Sequence, residues 1–443
     1  MVPFFNPKSI AVIGASRDPH KPGHVIFRNL LEGFKGKVYP VNPNAEEILG
    51  KPCYPFISKL PEKPDLAVIA IPAPLVPGVL DEVGKAGIKA AIIISAGFSE
   101  IGNLQLEKRL VKTAKKHGIR ILGPNCLGIY DPYTGLDTFF LPRYKLERPK
   151  AGNIAFISQS GALGSVMLDW MAMKGYRISR FISYGNAADI DEADLLEFLE
   201  KDRKTRVICA YFEGVREGRR FYQIAKRVSR KKPIIALKAG NTEAGGRATL
   251  SHTGSLAGSP QVYQAAFKQA GVIQAGGLEE MFDFARTLAT QPKPRGPRVL
   301  IITNGGGFGV LATDAVVQAG LKLSRLSHPE KLKKQFPPHV VISNPMDLTG
   351  DADAERYRKA LQVALKDPQV DMILLISLFQ IPTLTAEIVD VIQEFSGRKP
   401  LVVVAAGGRY TEALKKPLED SGIPCFSYPE RAAKALSVLW KGK

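Results

Sequence analysis

The sequence predicts an α/β protein of three domains, a Rossmann-like domain followed by two flavodoxin-like domains. Short runs rich in Val and Ile alternate with longer amphipathic stretches along all 443 residues. Such alternation is typical of β-α units, in which helices cover both faces of a parallel sheet. Each of three blocks has a Gly-rich turn between an apolar run and a helical stretch, and the Pro- and charge-rich segments LPRYKLERPKAG and TQPKPRGP separate the blocks, at residues 1–147, 148–293 and 294–443.

The first block contains five apolar runs that we predict to be parallel strands. They read SIAVIG, KVYPVN, LAVIAIP, AAIIISAG and IRILGPN. Open α/β sheets bind ligands beyond the carboxyl ends of their strands, and small or polar residues follow these runs. The candidate binding residues of the first domain are therefore Gly14, Ala15, Ser16, Lys21, Val41, Asn42, Ile71, Pro72, Ser95, Ala96, Gly97 and Asn125.

The turn after the first strand does not fit a dinucleotide-binding site. It lacks the G-x-G-x-x-G pattern after Ile13, and no Asp or Glu ends the second strand to bind a ribose. NAD-dependent redox chemistry is therefore disfavoured. A turn of small residues with Lys21 in the following loop suits instead a nucleotide that carries several phosphates, such as coenzyme A.

The second and third blocks resemble each other. The run IAFISQSGALGSVMLDWMAMKGY aligns with VLIITNGGGFGVLATDAVVQAGL, and each reads as a strand, a Gly-rich turn and a helix. The alignment sets Ser160 and Gly161 opposite Gly305, Gly306 and Gly307. Helix N-termini offer free N–H groups and the positive end of a dipole to an anion. The matched turns predict a phosphate site, and plain tight turns are the alternative.

His252 lies in RATLSHTGSLAGS, a run of small residues that follows the predicted strand PIIALKAG. Loops that a rigid scaffold positions often carry functional residues. A neutral imidazole is a good nucleophile toward phosphoryl groups when its other nitrogen is held. Glu213, at the end of VICAYFEG, is the candidate carboxylate for that purpose. A surface histidine and a surface carboxylate are the alternatives.

Composition narrows the class of protein. The net charge of +19 fits nucleic acid, a membrane surface, anionic ligands or an acidic partner. No basic stripe interleaved with aromatic residues is present, which disfavours nucleic acid. Four scattered cysteines indicate neither a disulfide framework nor a zinc site, and we predict no metal ligands. With no signal-peptide pattern or long apolar run, we expect a cytoplasmic protein that does not bind membranes.

Five motifs resemble those of the nucleoside-diphosphate-forming acyl-CoA synthetases. They are VIGASRDPHKPG, GPNCLG, SQSGALG, YFEGVREGRRF and SHTGSLAG, and the resemblance covers essentially the whole chain. More narrowly, the chain resembles the α subunits of archaeal-type ADP-forming acetyl-CoA synthetases, relatives of succinyl-CoA synthetase. Leu127 stands in GPNCLG where succinyl-CoA synthetases usually carry proline, which favours the archaeal-type branch.

The resemblance implies a reaction in which acyl-CoA, phosphate and ADP give a carboxylic acid, CoA and ATP. The first domain is then the CoA-binding domain, and His252 carries the phosphoryl group as phosphohistidine. Glu213 orients His252, and the phosphate contacts come from Ser160, Gly161, Gly305, Gly306 and Gly307. Gly185 and Asn186 are expected near the acyl end. These roles are what the resemblance implies.

The family binds ADP and Mg²⁺ on an ATP-grasp domain, and no such pattern occurs in this sequence. The resemblance therefore implies a separate ATP-grasp β subunit and an α2β2 assembly. A non-catalytic CoA-binding regulatory protein of the same fold is the main alternative. Such a protein would bind CoA, and its His252 would not be phosphorylated.

Overall fold

The computed structural model describes residues 1–242, 244–246 and 259–442. His252 lies outside these residues. The chain divides into two compact units, Met1–Ala275 and Gly276–Lys443, which we call the N-terminal and C-terminal units. In the described residues the N-terminal unit contains two large sheets and the C-terminal unit contains one. The division into three domains, with ends at residues 147 and 293, stays a prediction.

The first sheet contains the five strands that the sequence predicts, all parallel. Its order is β2-β1-β5-β6-β7, so the direction of winding changes between β1 and β5. The strands are β1 (Ser9–Ile13), β2 (Lys37–Val41), β5 (Leu66–Ile69), β6 (Ala90–Ile93) and β7 (Arg120–Leu122), and β3 (Glu47–Ile48) and β4 (Lys51–Pro52) form a separate hairpin. The helices are α1 (Val2–Phe5), α2 (Pro22–Gly33), α3 (Val76–Lys85) and α4 (Leu104–His117), with 3-10 turns at Ile57–Lys59, Ala73–Leu75 and Ser99–Ile101.

Local sequence explains where these elements lie. Every residue of β1 is buried, as expected for a strand covered by helices on both faces. Helix α4 starts after Asn103, whose side chain accepts a hydrogen bond from Leu106 N, and ends at Gly118 in the left-handed conformation. Lys115 and Lys116 lie in its last turn, where positive charge complements the helix dipole.

The second sheet has the order β14-β13-β12-β10-β11-β8-β9. Its parallel part changes winding direction between β10 and β12, and it agrees with the predicted flavodoxin-like fold class. The strands are β8 (Gly128–Asp131), β9 (Leu136–Asp137), β10 (Ala151–Ser158), β11 (Ile178–Ser183), β12 (Val207–Phe212), β13 (Ile234–Lys238) and β14 (Ile273–Gln274). The helices are α5 (Gly161–Met173), α6 (Glu192–Lys201), α7 (Gly218–Ser229) and α8 (Pro260–Ala270).

The antiparallel strands β8 and β9 extend this second sheet, although the sequence assigned their residues to the first block. Tyr130 pairs with Phe181 in the β8–β11 ladder, and Phe139 packs edge-on against Phe181, with 5.4 Å between ring centroids. These aromatic contacts bury the strand pair against the second sheet. The periodicity of so short a segment could not reveal its partner.

The sheet of the C-terminal unit has the same winding as the second sheet, in the order β16-β15-β18-β19-β20, with β17 paired to β15. The predicted kinship of the second and third blocks therefore appears as a shared topology. The strands are β15 (Arg298–Thr303), β16 (Lys322–Leu323), β17 (Met346–Asp347), β18 (Met372–Ile376), β19 (Leu401–Val404) and β20 (Cys425–Phe426). The helices are α9 (Leu278–Thr290), α10 (Gly306–Gln318), α11 (Pro329–Lys333), α12 (Ala354–Lys366), α13 (Ile388–Glu394), α14 (Arg409–Asp420) and α15 (Pro429–Lys441).

A buried ion-pair cluster joins β8 and β11 of the N-terminal unit. The guanidinium of Arg180 contacts the carboxylates of Asp131 and, at 3.0 Å, Asp202. Its carbon lies 5.2 Å and 5.6 Å from the ring centroids of Phe5 and Phe198. No helix in the described part of the chain is long and apolar enough to cross a membrane.

We expect Arg180→Gln to destabilise the N-terminal unit by about 3–5 kcal/mol, because it leaves the buried carboxylate of Asp131 without its charged partner. Thermal or urea unfolding measures the loss. Arg177→Gln, at an exposed position directly before β11, is the matched control. Its free energy of unfolding should stay within about 0.5 kcal/mol of that of the parent. Equal stability of the two variants would contradict this account of the cluster.

Candidate functional site

A cavity of about 900 Å³ lies in the N-terminal unit, where strand ends of its two large sheets meet. Residues after β6 and β7 form one wall, and residues after β10, β11 and β12 form the other. Seven predicted site residues are in its lining: Ala96, Asn125, Ser160, Gly161, Gly185, Asn186 and Glu213. Three separately predicted groups of residues, for the CoA, the phosphate and the acyl group, therefore meet in one cavity.

The other predicted residues are not among the described residues that line this cavity. Val41 ends β2, and the others follow strands of the first sheet: Gly14, Ala15, Ser16, Lys21, Asn42, Ile71, Pro72, Ser95 and Gly97. Gly305, Gly306 and Gly307 belong to the C-terminal unit, where Gly305 caps α10. A Cβ atom on Gly306 would lie 3.2 Å from Asp347 Oδ2, so a carboxylate adjoins that turn.

The turn after β1 is packed tightly at the point where the first sheet changes winding direction. Gly14 has φ +90°, and a Cβ atom there would lie 2.3 Å from the carbonyl oxygen of Ala70, which follows β5. A Cβ atom on Gly23, in the first turn of α2, would lie 1.9 Å from the carbonyl oxygen of Gly14. Only glycine permits this conformation and this approach. The turn therefore brings the N-terminus of α2 to the ligand-binding edge of the sheet.

Side chains fix the same turn from behind. His24 is buried, and its Nδ1 lies 2.8 Å from the carbonyl oxygen of Ser16. The amide of Asn42 donates to the carbonyl oxygen of Ala15 at 2.7 Å. Farther along the edge, the hydroxyl of Ser95 donates to the carbonyl oxygen of Ile71 at 2.6 Å. Asn125 N donates to Ser95 O at 2.9 Å, which connects this edge to the cavity.

Gln159 joins the turn before α5 to the end of β12. Its Oε1 accepts hydrogen bonds from the backbone N–H groups of Glu213 and, at 3.0 Å, Gly214. Its Nε2 donates to Gly214 O at 3.0 Å. Ser160 caps α5, with its hydroxyl oxygen accepting a hydrogen bond from Leu163 N at 3.3 Å. The hydrogen bonds of Gln159 fix the backbone of Glu213 relative to the N-terminus of α5.

Glu213 is buried, and the buried Lys238 lies beside it. Lys238 Nζ donates to the carbonyl oxygen of Glu213 at 2.9 Å and lies 4.7 Å from the ring centroid of Tyr263. Burial lowers the pKa of Lys238, and the charge of Glu213 opposes that change. Burial and the adjacent Glu213 carboxylate raise the pKa of Tyr211 to about 12.

Asn186 is the centre of a hydrogen-bond network that connects the two walls. Its Nδ2 donates to Glu100 Oε2 at 2.6 Å and to Glu107 Oε2 at 3.0 Å. Its Oδ1 accepts from Asn125 Nδ2 at 3.2 Å. Backbone N–H groups of Gly97 and Phe98 also donate to Glu100. Although burial opposes it, hydrogen bonding lowers the pKa of Glu100, which keeps this carboxylate ionised.

Apolar side chains also line the cavity, from Ile94, Ile101, Cys126, Leu127, Phe140 and Leu141, and Arg216 adds a charged one. Sequence reasoning did not assign a role to these residues, to Gln159 or to Glu100. Gln159 stands inside the SQSGALG motif, which is the one sequence signal that could have identified it. Among the described residues, no group of three or more His, Cys, Asp or Glu residues has the arrangement of a metal site.

Three family models match successive parts of the chain. A CoA binding domain matches residues 8–132, a succinyl-CoA ligase like flavodoxin domain matches residues 151–288, and a ligase-CoA domain matches residues 299–441. Each model covers one of the three blocks that the sequence pattern distinguishes.

The chain is similar along its whole length to curated and solved proteins. It is 48% identical to the acetate–CoA ligase [ADP-forming] I subunit alpha of Pyrococcus furiosus, over 99% of this chain and 96% of the relative. It is 44% identical to the acetate–CoA ligase [ADP-forming] of Methanocaldococcus jannaschii, over 98% of this chain and 62% of that longer protein. The solved structure of Ca. Korarchaeum cryptofilum dinucleotide forming acetyl-coenzyme A synthetase 1, in complex with phosphate and ADP, superimposes with a TM-score of 0.94. That structure is 44% identical and covers 100% of this chain and 96% of its own.

Glu192, the first residue of α6, is a buried carboxyl close to this site. Its charge and that of Glu213 both act on the buried Tyr184. Burial raises the pKa of Glu192 to about 7, with Asp191 adding to the rise and Arg216 and Arg220 opposing it. The folded protein therefore retains a proton that the unfolded chain loses near pH 4.5, so Glu192 makes stability fall as the pH rises from about 4.5 to about 7.

We expect Glu192→Gln to match the parent in stability near pH 5 and to exceed it by about 1–3 kcal/mol at pH 8, because the amide cannot ionise. Urea unfolding at the two pH values measures the difference. Glu197→Gln, an exposed position on the same helix, is the control and should show the same small effect at both pH values. A pH-independent effect of Glu192→Gln would mean that Glu192 is charged in the folded protein at neutral pH.

Proposed function

This chain belongs to the family of ADP-forming acetate–CoA ligases, and we propose that it is the subunit that binds CoA and carries the phosphoryl group. Acyl-CoA, with acetyl-CoA favoured, then reacts with phosphate and ADP to give the carboxylic acid, CoA and ATP. The observation that carries the proposal is the single cavity shared by Asn125, Ser160, Asn186 and Glu213. The homology disfavours a non-catalytic CoA-binding regulatory protein of the same fold.

CoA fits the carboxyl edge of the first sheet. The edge has its change of winding between β1 and β5, the position at which open α/β sheets bind ligands. Lys21 caps α2, whose dipole favours the phosphates of CoA, and the turn at Gly14 lies against Gly23 in the first turn of that helix. Ser95 and Asn125 continue the edge into the cavity, so a CoA molecule along this edge would direct its thiol there.

The first chemical step forms an acyl phosphate. A phosphate oxygen bonds to the thioester carbonyl carbon, the C–S bond breaks, and the proton of the phosphate ends on the CoA thiol. We assign the phosphate to the N-terminus of α5, where Ser160 and Gly161 provide N–H groups. A Cβ atom on Gly161 would meet described atoms no closer than 3.7 Å, so space for a ligand remains there. Gly185 and Asn186 then adjoin the acyl group.

The second step transfers the phosphoryl group to His252. A ring nitrogen of His252 bonds to phosphorus, the bond from phosphorus to the acyl oxygen breaks, and the carboxylate leaves. Glu213 accepts a hydrogen bond from the other ring nitrogen, which orients the ring and stabilises its positive charge. The chain leaves β13 at Lys238, which pairs with Phe212 of β12, so the segment toward His252 starts beside Glu213. By the resemblance, we assign a further phosphate-binding role to Gly305, Gly306 and Gly307, at the N-terminus of α10.

The transfer from phosphohistidine to ADP needs a nucleotide site, which we assign to an ATP-grasp β subunit with Mg²⁺ in an α2β2 assembly. In support, this chain matches only 62% of the length of the longer relative from M. jannaschii. The net charge of +19 suits both CoA and an acidic partner. A cytoplasmic location stays a prediction from the sequence.

We expect the purified chain alone to form no ATP from acetyl-CoA, phosphate and ADP, and the chain with its β subunit to form it. A luciferase assay for ATP measures both. ATP formation by a preparation in which mass spectrometry finds this chain only would contradict the assignment of the nucleotide site to a partner.

We expect acid-labile phosphate on His252 after incubation with acetyl phosphate, or with ATP, Mg²⁺ and the β subunit. Peptide mass spectrometry under neutral conditions locates it. Glu213→Gln should slow the labelling about 100-fold, because the uncharged amide stabilises the ring less well, and should leave CoA affinity unchanged. His252→Ala should remove the label, and His328→Ala, an exposed position in the C-terminal unit, should keep it. Label on another residue, or none with a competent β subunit, would refute the phosphohistidine.

A further inference from the structure

Arg216 follows Glu213 by three residues and lines the same cavity. It is the sole Lys, Arg or His among the described residues that line it, whereas Glu100 and Glu213 are both carboxylates. Inorganic phosphate is a mixture of monoanion and dianion near neutral pH, and two carboxylates in the wall oppose its entry. The cavity therefore needs a positive group if phosphate is to react inside it, and the N-terminus of α5 supplies only a partial charge.

The backbone that carries Arg216 is fixed on both sides. Val215 N donates to the hydroxyl of Tyr263 at 3.0 Å, and Gln159 holds Gly214 through two hydrogen bonds. The side chain of Arg216 itself is 51% exposed. A rigid backbone thus presents a cationic side chain that can still change its position.

The ion pair of Arg216 in the described structure is loose. Its Nη2 lies 3.5 Å from Glu107 Oε1, whereas charge-assisted N–H···O bonds are usually about 2.7–2.9 Å long. Glu107 has other partners, since its Oε2 accepts hydrogen bonds from Ser99 Oγ at 2.6 Å and from Asn186 at 3.0 Å. Moving Arg216 away from Glu107 would therefore leave this buried carboxylate with its hydrogen bonds from Ser99 and Asn186.

We propose that Arg216 leaves Glu107 and binds the inorganic phosphate that enters the cavity, opposite the N-terminus of α5. The planar guanidinium matches two oxygens of a phosphate and keeps its charge at any pH at which the protein is folded. The same contact stabilises the charge of phosphate while it attacks the thioester. This inference rests on the proposed function and adds to it a cationic side chain that contacts the substrate.

The test uses the complete complex of this chain with its β subunit. Initial rates of ATP formation are measured at varied phosphate and, separately, at varied acetyl-CoA. Arg216→Gln should raise the KM for phosphate about 10- to 100-fold, the loss expected for a charged hydrogen-bonded contact, and leave the KM for acetyl-CoA within about twofold. Arg216→Lys should recover part of the loss. Arg219→Gln, an equal charge change at an exposed position on α7, should leave the KM for phosphate unchanged.

Glu107→Gln separates a phosphate contact from a structural tie between the two walls. A phosphate-binding Arg216 predicts an unchanged or lower KM for phosphate in Glu107→Gln, since the competing carboxylate is gone. Equal defects in Glu107→Gln and Arg216→Gln would overturn the proposal, and so would a rise in the KM for acetyl-CoA alone. If Arg216→Gln does not fold, the comparison of Arg216→Lys with Arg219→Lys decides the question in the same way.

Calorimetric titration of the chain with inorganic phosphate distinguishes failure of this inference from failure of the proposed function. Phosphate binding that Arg216→Gln removes, in a parent complex that forms no ATP, would reject the function and support the contact. ATP formation by the parent complex, with equal phosphate affinity in the parent and in Arg216→Gln, would support the proposed function and reject the contact.

Discussion

The geometry of the site depends on the hydrogen bonds that the side-chain amide of Gln159 makes. Strand ends in a parallel sheet are separate pieces of chain, and nothing in the ladder of hydrogen bonds fixes the loops beyond them. Gln159 connects two such loops, because its oxygen accepts from Glu213 N and Gly214 N while its nitrogen donates to Gly214 O. Replacing this half-buried amide leaves several backbone groups without their partners, which is costly. The relative position of Glu213 and the α5 N-terminus is therefore as rigid as the sheet itself.

The C-terminal unit repeats this device at the corresponding position. Asn304, which aligns with Gln159, accepts a hydrogen bond from Leu378 N at 2.9 Å and donates to Leu378 O at 3.4 Å. Both units thus hold the loop of one strand against the Gly-rich turn of its neighbour at the change of winding. Leu378 N donates to Asn304 as Glu213 N donates to Gln159, so the C-terminal unit has an apolar residue where the N-terminal unit has Glu213. The duplicated scaffold is shared, and the acidic side chain is particular to one copy.

The fold was largely predictable because its signals are local. Buried parallel strands such as β1 read as continuous apolar runs, and Gly-rich turns such as that of Ser160 and Gly161 separate strand from helix. The meeting of Asn125, Asn186 and Glu213 in one cavity was predictable only through the resemblance, since these residues lie far apart in the chain. Gln159 and Arg216 escaped because their roles depend on which backbone groups another strand presents. The partner of β8 escaped because four residues carry too little pattern to identify a distant ladder.

The extension of the second sheet by β8 and β9 has a consequence for the history of such genes. Arg180 and Asp131 bind each other across the boundary that the sequence pattern suggests between the first two blocks. A recombination event that separated these blocks would expose the edge of β11 and leave buried charges on both products. Exchange of whole modules is thus tolerable only outside this pair of blocks. The longer relative from M. jannaschii, which matches 98% of this chain over 62% of its own length, keeps these two blocks together.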